Sequence, residues 1–154
     1  MAAMFKRKIY ARLLQWKKED NGTKGVLIKG ARRVRKSTIA EEFAKNEYGS
    51  YILINFSNVG KNVKELFDDL RDLDRLFRGL QLEYDTTLKE GDSVIIFDEV
   101  QRFPRAREAI KALVADGRYH YIETGSLISR GHGLEWFDGK GKRFSGQSRK
   151  VIFP

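Results

Sequence analysis

Hydrophobic residues along this chain alternate between two spacings. Runs spaced by three and four residues, typical of one face of a helix, give way to short runs of consecutive apolar residues and then return. The short runs are flanked by glycine or polar residues, and wholly apolar strands of this length are typical of a parallel sheet covered on both faces. They predict strands over residues 25–29, 51–56 and 94–97, and we assign a fourth strand to residues 119–123.

Amphipathic helices are predicted between the strands. They cover residues 4–18, residues 37–44, residues 63–80 and a segment from Pro104 to a stop at Gly117. Gly79 and the acidic cluster around Asp72 are candidate breaks in the third of these helices. Strands that alternate with helices in this way predict an α/β fold of three layers, in which a parallel sheet of four to five strands has helices on both faces.

The chain divides into three predicted parts, which are an N-terminal amphipathic helix (residues 1–24), a core (25–129) and a glycine-rich basic tail (130–154). Five glycines lie between residues 131 and 146, and no hydrophobic period survives there. That segment is therefore expected to be a loop or disordered. Residues 151–153 are apolar and form a candidate fifth strand.

Composition limits the class of protein. A chain of 154 residues with 41% hydrophobic residues is long enough for one buried core, and the lack of cysteine excludes disulfides and thiolate metal sites. Because no secretory signal and no long apolar run is visible, we expect a cytoplasmic protein without a membrane partner. The two histidines, His120 and His132, are too few for a metal site, and His120 is expected in the core or on the sheet.

The net charge of +9 is concentrated at the two ends of the chain. Residues 1–36 hold 12 Lys and Arg against 2 acidic residues, whereas residues 37–129 hold 12 against 17. Basic clusters at Lys6–Lys8 and at Lys140–Arg143 leave open a nucleic-acid partner bound through the termini. For the first cluster we favour the alternative, a packed helix with solvated lysines on its outer face.

A basic loop between the first strand and the second helix has the spacing of a phosphate-binding motif. The motif G-x-x-x-x-G-K-[ST] needs backbone N–H groups at a helix N-terminus, a lysine that reaches the terminal phosphates and a hydroxyl for Mg²⁺. Gly30, Lys36 and Ser37 occupy the matching positions. The residues predicted to bind the nucleotide are Gly30, Ala31, Arg32, Arg33, Val34, Arg35, Lys36, Ser37 and Thr38.

Arg35 stands where this motif has its second glycine. That glycine allows the backbone to approach the phosphates without a Cβ, and it often takes dihedral angles that other residues adopt at a cost. Two alternatives to a working phosphate loop therefore stay open. One is a core that binds a nucleotide without hydrolysing it, and the other is a basic nucleic-acid-binding module for which the fold is only a scaffold.

Asp98 and Glu99 directly follow the third predicted strand. Because ligands bind at the carboxyl ends of strands in an open parallel sheet, the pair is expected at the same edge as the basic loop. One carboxylate there is suited to the Mg²⁺ shell, and the next is suited to polarising a water that attacks the γ-phosphate. The alternative for Asp98 and Glu99 taken alone is that they only cap the following turn.

From about Phe5 to Ser129 the sequence resembles the AAA-type P-loop ATPases, in particular a prokaryotic family whose loop reads GARRVGKST. Three segments carry the resemblance: the loop at 30–38, the strand and acidic pair at 94–101, and the run from Tyr121 to Ser126. Full-length members carry a nuclease-like C-terminal domain. The resemblance implies that this domain and a helical lid would lie beyond Pro154, with a homo-oligomer assembled through the lid.

The resemblance also implies roles for individual residues. Lys36 would contact the β and γ phosphates of ATP, Ser37 and Asp98 would hold Mg²⁺, and Glu99 would activate the attacking water. Thr124 or Ser126 would match the polar sensor at the end of the fourth strand. The arginine finger of such enzymes acts from a neighbouring subunit, and the sequence does not choose among Arg102, Arg105, Arg118 and Arg130.

Overall fold

The computed structural model describes residues 2–30, 35–126 and 133–145. Side chains are described for residues 6–30, 35–126 and 133–144. The helices are α1 (Ala2–Asp20), α2 (Lys36–Glu47), α3 (Lys61–Leu66), α4 (Leu73–Glu83) and α5 (Pro104–Asp116). The strands are β1 (Lys24–Lys29), β2 (Ser50–Asn55), β3 (Ser93–Asp98), β4 (His120–Gly125), β5 (Gly133–Asp138) and β6 (Arg143–Ser145), and a 3₁₀ turn (Val100–Arg102) follows β3.

The strands form one six-stranded sheet in the order β2-β3-β4-β1-β5-β6. The pairs β2–β3, β3–β4 and β1–β4 are parallel, whereas β5 runs antiparallel to β1 and β6 runs antiparallel to β5. Strands β1, β3 and β4 are therefore neighbours whose carboxyl ends meet at one edge of the sheet. The first turn of α2, the turn after β3 and the end of β4 all lie along that edge.

Helices cover both faces of the sheet, which confirms the predicted three-layer α/β fold. On one face, Ile9, Leu13 and Trp16 of α1 and Phe43 of α2 pack against the apolar residues of β1, β3 and β4. On the other face, α3, α4 and α5 cover a second cluster that includes Phe67 and Phe97. Because both faces are buried, β1, β2 and β3 have apolar centres, as their sequence pattern indicates, whereas β4 also carries the buried polar residues His120, Glu123 and Thr124.

Helix α1 extends from Ala2 to Asp20, slightly beyond the predicted residues 4–18. Leu13 and Trp16 are almost completely buried, and the Trp16 indole N–H donates a hydrogen bond to the Lys24 carbonyl at 2.8 Å. This contact ties the end of α1 to the start of β1, so the helix is part of the core. In the described part of the chain, none of the helices has both the length and the apolar character that crossing a membrane requires.

The third predicted helix is divided at Asp72 into α3 and α4. The Asp72 carboxylate accepts a hydrogen bond from the Arg75 N–H at 3.1 Å and so caps the start of α4. Gly79, the other candidate break, lies inside α4 instead. A Cβ at Gly79 would come within 2.4 Å of the Leu66 side chain, so this glycine allows α3 and α4 to pack closely.

The prediction of a loop over residues 131–146 is wrong for the part that the structure describes. Strands β5 and β6 form an antiparallel hairpin there, and the sheet has six strands instead of four to five. Leu134 and Trp136 are buried on the α1 face and Phe137 on the opposite face, because β5 pairs with β1 along its whole length. The candidate strand at 151–153 lies outside the described residues.

Candidate functional site

The Lys36 side chain joins the two ends of the basic loop. Lys36 is the first residue of α2, and its Nζ donates a hydrogen bond to the Gly30 carbonyl at the end of β1, at 3.1 Å. The lysine is only 5% exposed. The end of β1 and the first turn of α2 are thereby tied together by the lysine amino group. Helix α2 has 12 residues, and its N-terminal N–H groups point to the same edge of the sheet.

Asp98 is the centre of a hydrogen-bond network across three neighbouring elements. The Ser37 hydroxyl donates to Asp98 Oδ1 at 2.7 Å, and the Thr124 hydroxyl donates to the same oxygen at 2.6 Å. Asp98 and Thr124 are buried, and Ser37 is half-buried. The network therefore links the first turn of α2 to the ends of β3 and β4, as expected for polar residues at one edge of a parallel sheet.

Glu99 follows Asp98 with left-handed backbone angles, φ 55° and ψ 47°. Its N–H donates to the Thr124 hydroxyl at 3.1 Å, and its carboxylate accepts from Ser126 Oγ at 3.5 Å and from Gln101 Nε2 at 2.5 Å. A residue other than glycine adopts this conformation at a cost, and such strain is concentrated at functional sites. Glu99 is thus held in an unusual conformation by three neighbours.

The charged side chains at this edge of the sheet are suited to binding a polyanion together with a cation. Burial lowers the pKa of Lys36, and the carboxylates of Glu99 and Asp98 oppose that change by stabilising the ammonium ion. The positive charge of this buried amino group is thus stabilised by two carboxylates at the end of β3. This combination concentrates positive charge at the loop while leaving carboxylate oxygens for a metal ion or a water.

The donor atoms fit Mg²⁺. Ser37 Oγ and Asp98 Oδ1 are oxygen ligands 2.7 Å apart, and both lie at the edge of the sheet next to the basic loop. Mg²⁺ in phosphate-binding proteins takes one or two protein oxygens and keeps waters and substrate phosphates as its other ligands. No group of three His, Cys, Asp or Glu residues that could hold a metal ion occurs among the described residues.

The structure describes only part of the predicted nucleotide-binding loop. Residues 31–34, which comprise Ala31, Arg32, Arg33 and Val34, lie outside the described residues. Arg35 precedes α2 with φ 5° and ψ 52°, outside the left-handed region, and both Arg35 and Thr38 are exposed. Gly30, Lys36, Ser37, Asp98, Glu99, Thr124 and Ser126 are brought together at one edge of the sheet.

The candidate arginine fingers differ in their partners. Arg105 forms an ion pair with Asp68, and Arg118 forms ion pairs with two aspartates. Arg102 is exposed and has no ion pair within the described ranges, and Arg130 lies outside them.

One residue of each basic cluster forms ion pairs with acidic residues of the fold. Lys6 forms an ion pair with Glu42 at 2.7 Å, and Arg143 lies 3.1 Å from Glu123 and 3.2 Å from Glu135. These contacts pair one of the three basic residues at 6–8 and one of the three at 140–143. His120 is buried and shares a hydrogen bond with the Tyr48 hydroxyl, as expected for a core residue.

Two features near the site were missed from the sequence. One is the contact between Gln101 and Glu99, whose signal is only that the two residues are two positions apart. The other is a buried ion cluster in which Glu123, fully buried in β4, faces Arg143 at 3.1 Å and Arg107 at 4.0 Å. Burial raises the pKa of Glu123, and both arginines oppose that effect. Gln101 and these arginines line a cavity of about 590 Å³ between α5 and the β5–β6 hairpin.

Comparison of this chain with known protein families finds one match. A family model described as an AAA domain matches residues 22–133, which is well over half of the 154 residues. The match begins just before β1 and ends at the start of β5, so it contains every residue of the site described above. Searches of curated proteins and of solved structures found no match. The phosphate-loop arrangement and the family match together establish that this chain belongs to the AAA domain family of nucleotide-binding P-loop proteins.

Proposed function

We propose that this domain binds ATP with Mg²⁺ and hydrolyses it. The observation that carries the proposal is the network in which Ser37, Asp98 and Thr124 share hydrogen bonds beside the buried Lys36 and the restrained Glu99. Phosphoryl transfer needs little covalent chemistry from the protein, so positioning and electrostatic stabilisation supply most of the catalysis. A site held together by hydrogen bonds before the substrate arrives is suited to that task.

Each residue has a defined task in this proposal. Lys36 binds the terminal phosphates, and the N-terminal N–H groups of α2 bind phosphate oxygens. Ser37 and Asp98 would hold Mg²⁺, which neutralises charge on the phosphates when it is bound. Glu99 orients a water and accepts its proton at the carboxylate. Thr124 fixes the backbone of Glu99, and Ser126 contacts the carboxylate itself.

Arg35 is compatible with this proposal. Its side chain is exposed, and its backbone carbonyl accepts the first hydrogen bond of α2, from the Ile39 N–H at 3.1 Å. The lysine contact to Gly30 is present with arginine at this position. We therefore expect Arg35 to weaken the approach of the backbone to the phosphates without abolishing binding.

A titration with Mg-ATP tests the proposal. Binding is followed by thermal shift, since a ligand that binds the native state raises its stability, and hydrolysis is followed by phosphate release. Lys36→Ala should abolish the thermal shift, whereas Lys45→Ala, an exposed lysine near the end of the same helix, should leave it unchanged. Glu99→Gln should keep binding and lose turnover, with Glu108→Gln on the exposed face of α5 as its matched control.

The outcomes separate the alternatives. No binding at millimolar Mg-ATP by a folded chain would refute nucleotide binding in this form. Binding without turnover, with turnover gained in Arg35→Gly, would establish the hydrolysis-deficient core instead. Equal rates in the native chain and in Arg35→Gly would remove that alternative, and equal rates in the native chain and in Glu99→Gln would remove the proposed role of Glu99.

A further inference from the structure

We infer that Gln101 is a positioning residue for hydrolysis, which orients the Glu99 carboxylate through the hydrogen bond from its amide. The inference rests on the proposed function and extends it to a residue outside the phosphate loop and the acidic pair. Gln101 lies in the 3₁₀ turn after β3, two residues beyond Glu99. Among the described residues, its side chain hydrogen-bonds only to Glu99, so we expect its effect on the reaction to act through Glu99.

The two oxygens of the Glu99 carboxylate have different partners. Oε2 accepts from Gln101 Nε2 at 2.5 Å, whereas Oε1 lies 3.5 Å from Ser126 Oγ. The glutamine contact is the shorter and therefore the stronger restraint. The hydrogen bond at Oε2 restrains rotation of the carboxylate, and Oε1, with its longer contact to Ser126, can still accept a hydrogen bond from a water. The amide must present its NH₂ group here, because a carboxylate accepts hydrogen bonds and does not donate them.

This arrangement costs stability, which argues against a purely structural role. Glu99 adopts left-handed backbone angles, and the Gln101 carbonyl oxygen is buried without a hydrogen-bond partner among the described residues. A buried polar atom without a partner is rare and destabilising in a native structure. An apolar side chain at 101 would avoid that cost. The glutamine therefore gives the protein the contact to Glu99 at the expense of stability.

The turn that carries Gln101 is well anchored. Val100 is fully buried, and the Arg102 N–H donates to the Glu99 carbonyl at 3.0 Å. The backbone on both sides of Gln101 is thus fixed by the core and by the turn. A substitution that keeps the size of the side chain should leave this backbone in place, which makes the role of the amide accessible to mutagenesis.

The test is a double-mutant cycle in the full chain. Gln101→Met removes the amide and keeps the length of the side chain, and Glu99→Asp keeps a carboxylate but shortens it beyond the reach of residue 101. We expect Gln101→Met to lower kcat by about tenfold or more, as for other small misplacements of catalytic groups, with KM for Mg-ATP within about twofold. In the Glu99→Asp background the same change should alter kcat by less than about twofold, because the contact is already lost.

A matched control is available on α1. Gln15 Nε2 donates to Glu19 Oε1 at 2.9 Å, so Gln15→Met breaks the same kind of amide–carboxylate contact far from the site, and it should change neither kcat nor KM. The inference is overturned if Gln101→Met leaves kcat unchanged, or lowers it equally in both backgrounds. If the native chain does not hydrolyse ATP, or if Glu99→Gln leaves the rate of hydrolysis unchanged, the proposed function is refuted and this inference with it.

Discussion

Thr124 offers the most direct test of how the site is held together. Its hydroxyl donates to Asp98 Oδ1 at 2.6 Å and accepts the Glu99 N–H at 3.1 Å, and the side chain is fully buried. Thr124→Val keeps the shape of the side chain and removes both hydrogen bonds. It leaves the Glu99 N–H without its acceptor, at the residue whose backbone is already strained.

The expected loss of stability follows from these two bonds. A hydrogen bond to a charged group contributes about 1.5–3 kcal/mol, and an unpaired buried donor costs about 1–3 kcal/mol. Because Ser37 still donates to Asp98, we expect a net loss of about 3 kcal/mol. For a chain of this length that corresponds to a fall in Tm of about 6–12 °C. Thr124→Ser, which keeps the hydroxyl and loses one methyl group, should cost only about 1 kcal/mol.

Urea denaturation of the native chain and of the two variants measures these differences, and phosphate release measures turnover in parallel. Thr124→Val should also turn over more slowly than Thr124→Ser, because the Glu99 backbone has lost its acceptor. A free energy of unfolding for Thr124→Val within about 0.5 kcal/mol of that for Thr124→Ser would refute the reasoning. It would mean that the hydroxyl contributes little and that the strained backbone of Glu99 is held by the turn alone.

Three further predictions concern the fold. Arg143→Met should cost about 3 kcal/mol because Glu123 is left buried without its nearest cation, and adding Glu123→Gln should restore most of that loss in urea denaturation. Burial raises the pKa of Glu123, so its carboxyl group binds a proton more tightly in the folded state than in the unfolded chain. The loss of stability caused by Arg143→Met should therefore shrink as the pH falls towards 4.5. Burial lowers the pKa of His120 from 6.5 to about 4, so the unfolded chain binds a proton at a higher pH than the folded state does. The free energy of unfolding of the native chain should therefore fall by up to about 3 kcal/mol between pH 6.5 and 4. This fall should be absent in His120→Gln. Gly25→Ala should cost about 1–3 kcal/mol in thermal unfolding, since its Cβ would lie 2.3 Å from an aromatic ring of β5, whereas Gly60→Ala, which meets no atom within 4 Å, should be nearly neutral.

Most of the parallel core could be predicted from the sequence. Apolar runs bounded by glycine or polar residues located β1, β2 and β3 to within one residue, because strands covered on both faces leave few alternatives, and the mixed segment at 119–123 located β4 to within two residues. The convergence of Lys36, Asp98 and Thr124 also follows from the sequence, since parallel strands place their carboxyl ends at one edge. These parts depend on local pattern and on a topological rule, and both are visible in one sequence.

The hairpin and the Gln101 contact depend on tertiary structure and were not predictable in the same way. In β5 the apolar residues face both sides of the sheet, and the charge of Glu135 is matched by Arg143 on the paired strand, eight residues away. No local sequence pattern indicates the pairing of β5 with β6 in this glycine-rich segment. The direction of the Gln101 side chain depends on the left-handed angles of Glu99, which no spacing of residue types specifies.

The β5–β6 hairpin also has a consequence for the solubility of the fold. Without it, β1 would be the outermost strand, with an apolar centre and a row of unpaired backbone groups open to other chains. Exposed apolar edges of that kind promote aggregation, and native sheets end instead in short or charged strands. The three-residue β6, which begins with Arg143, is such an ending. The strand that leads into the basic loop is thus shielded by a hairpin that lies almost wholly beyond the residues matched by the family model.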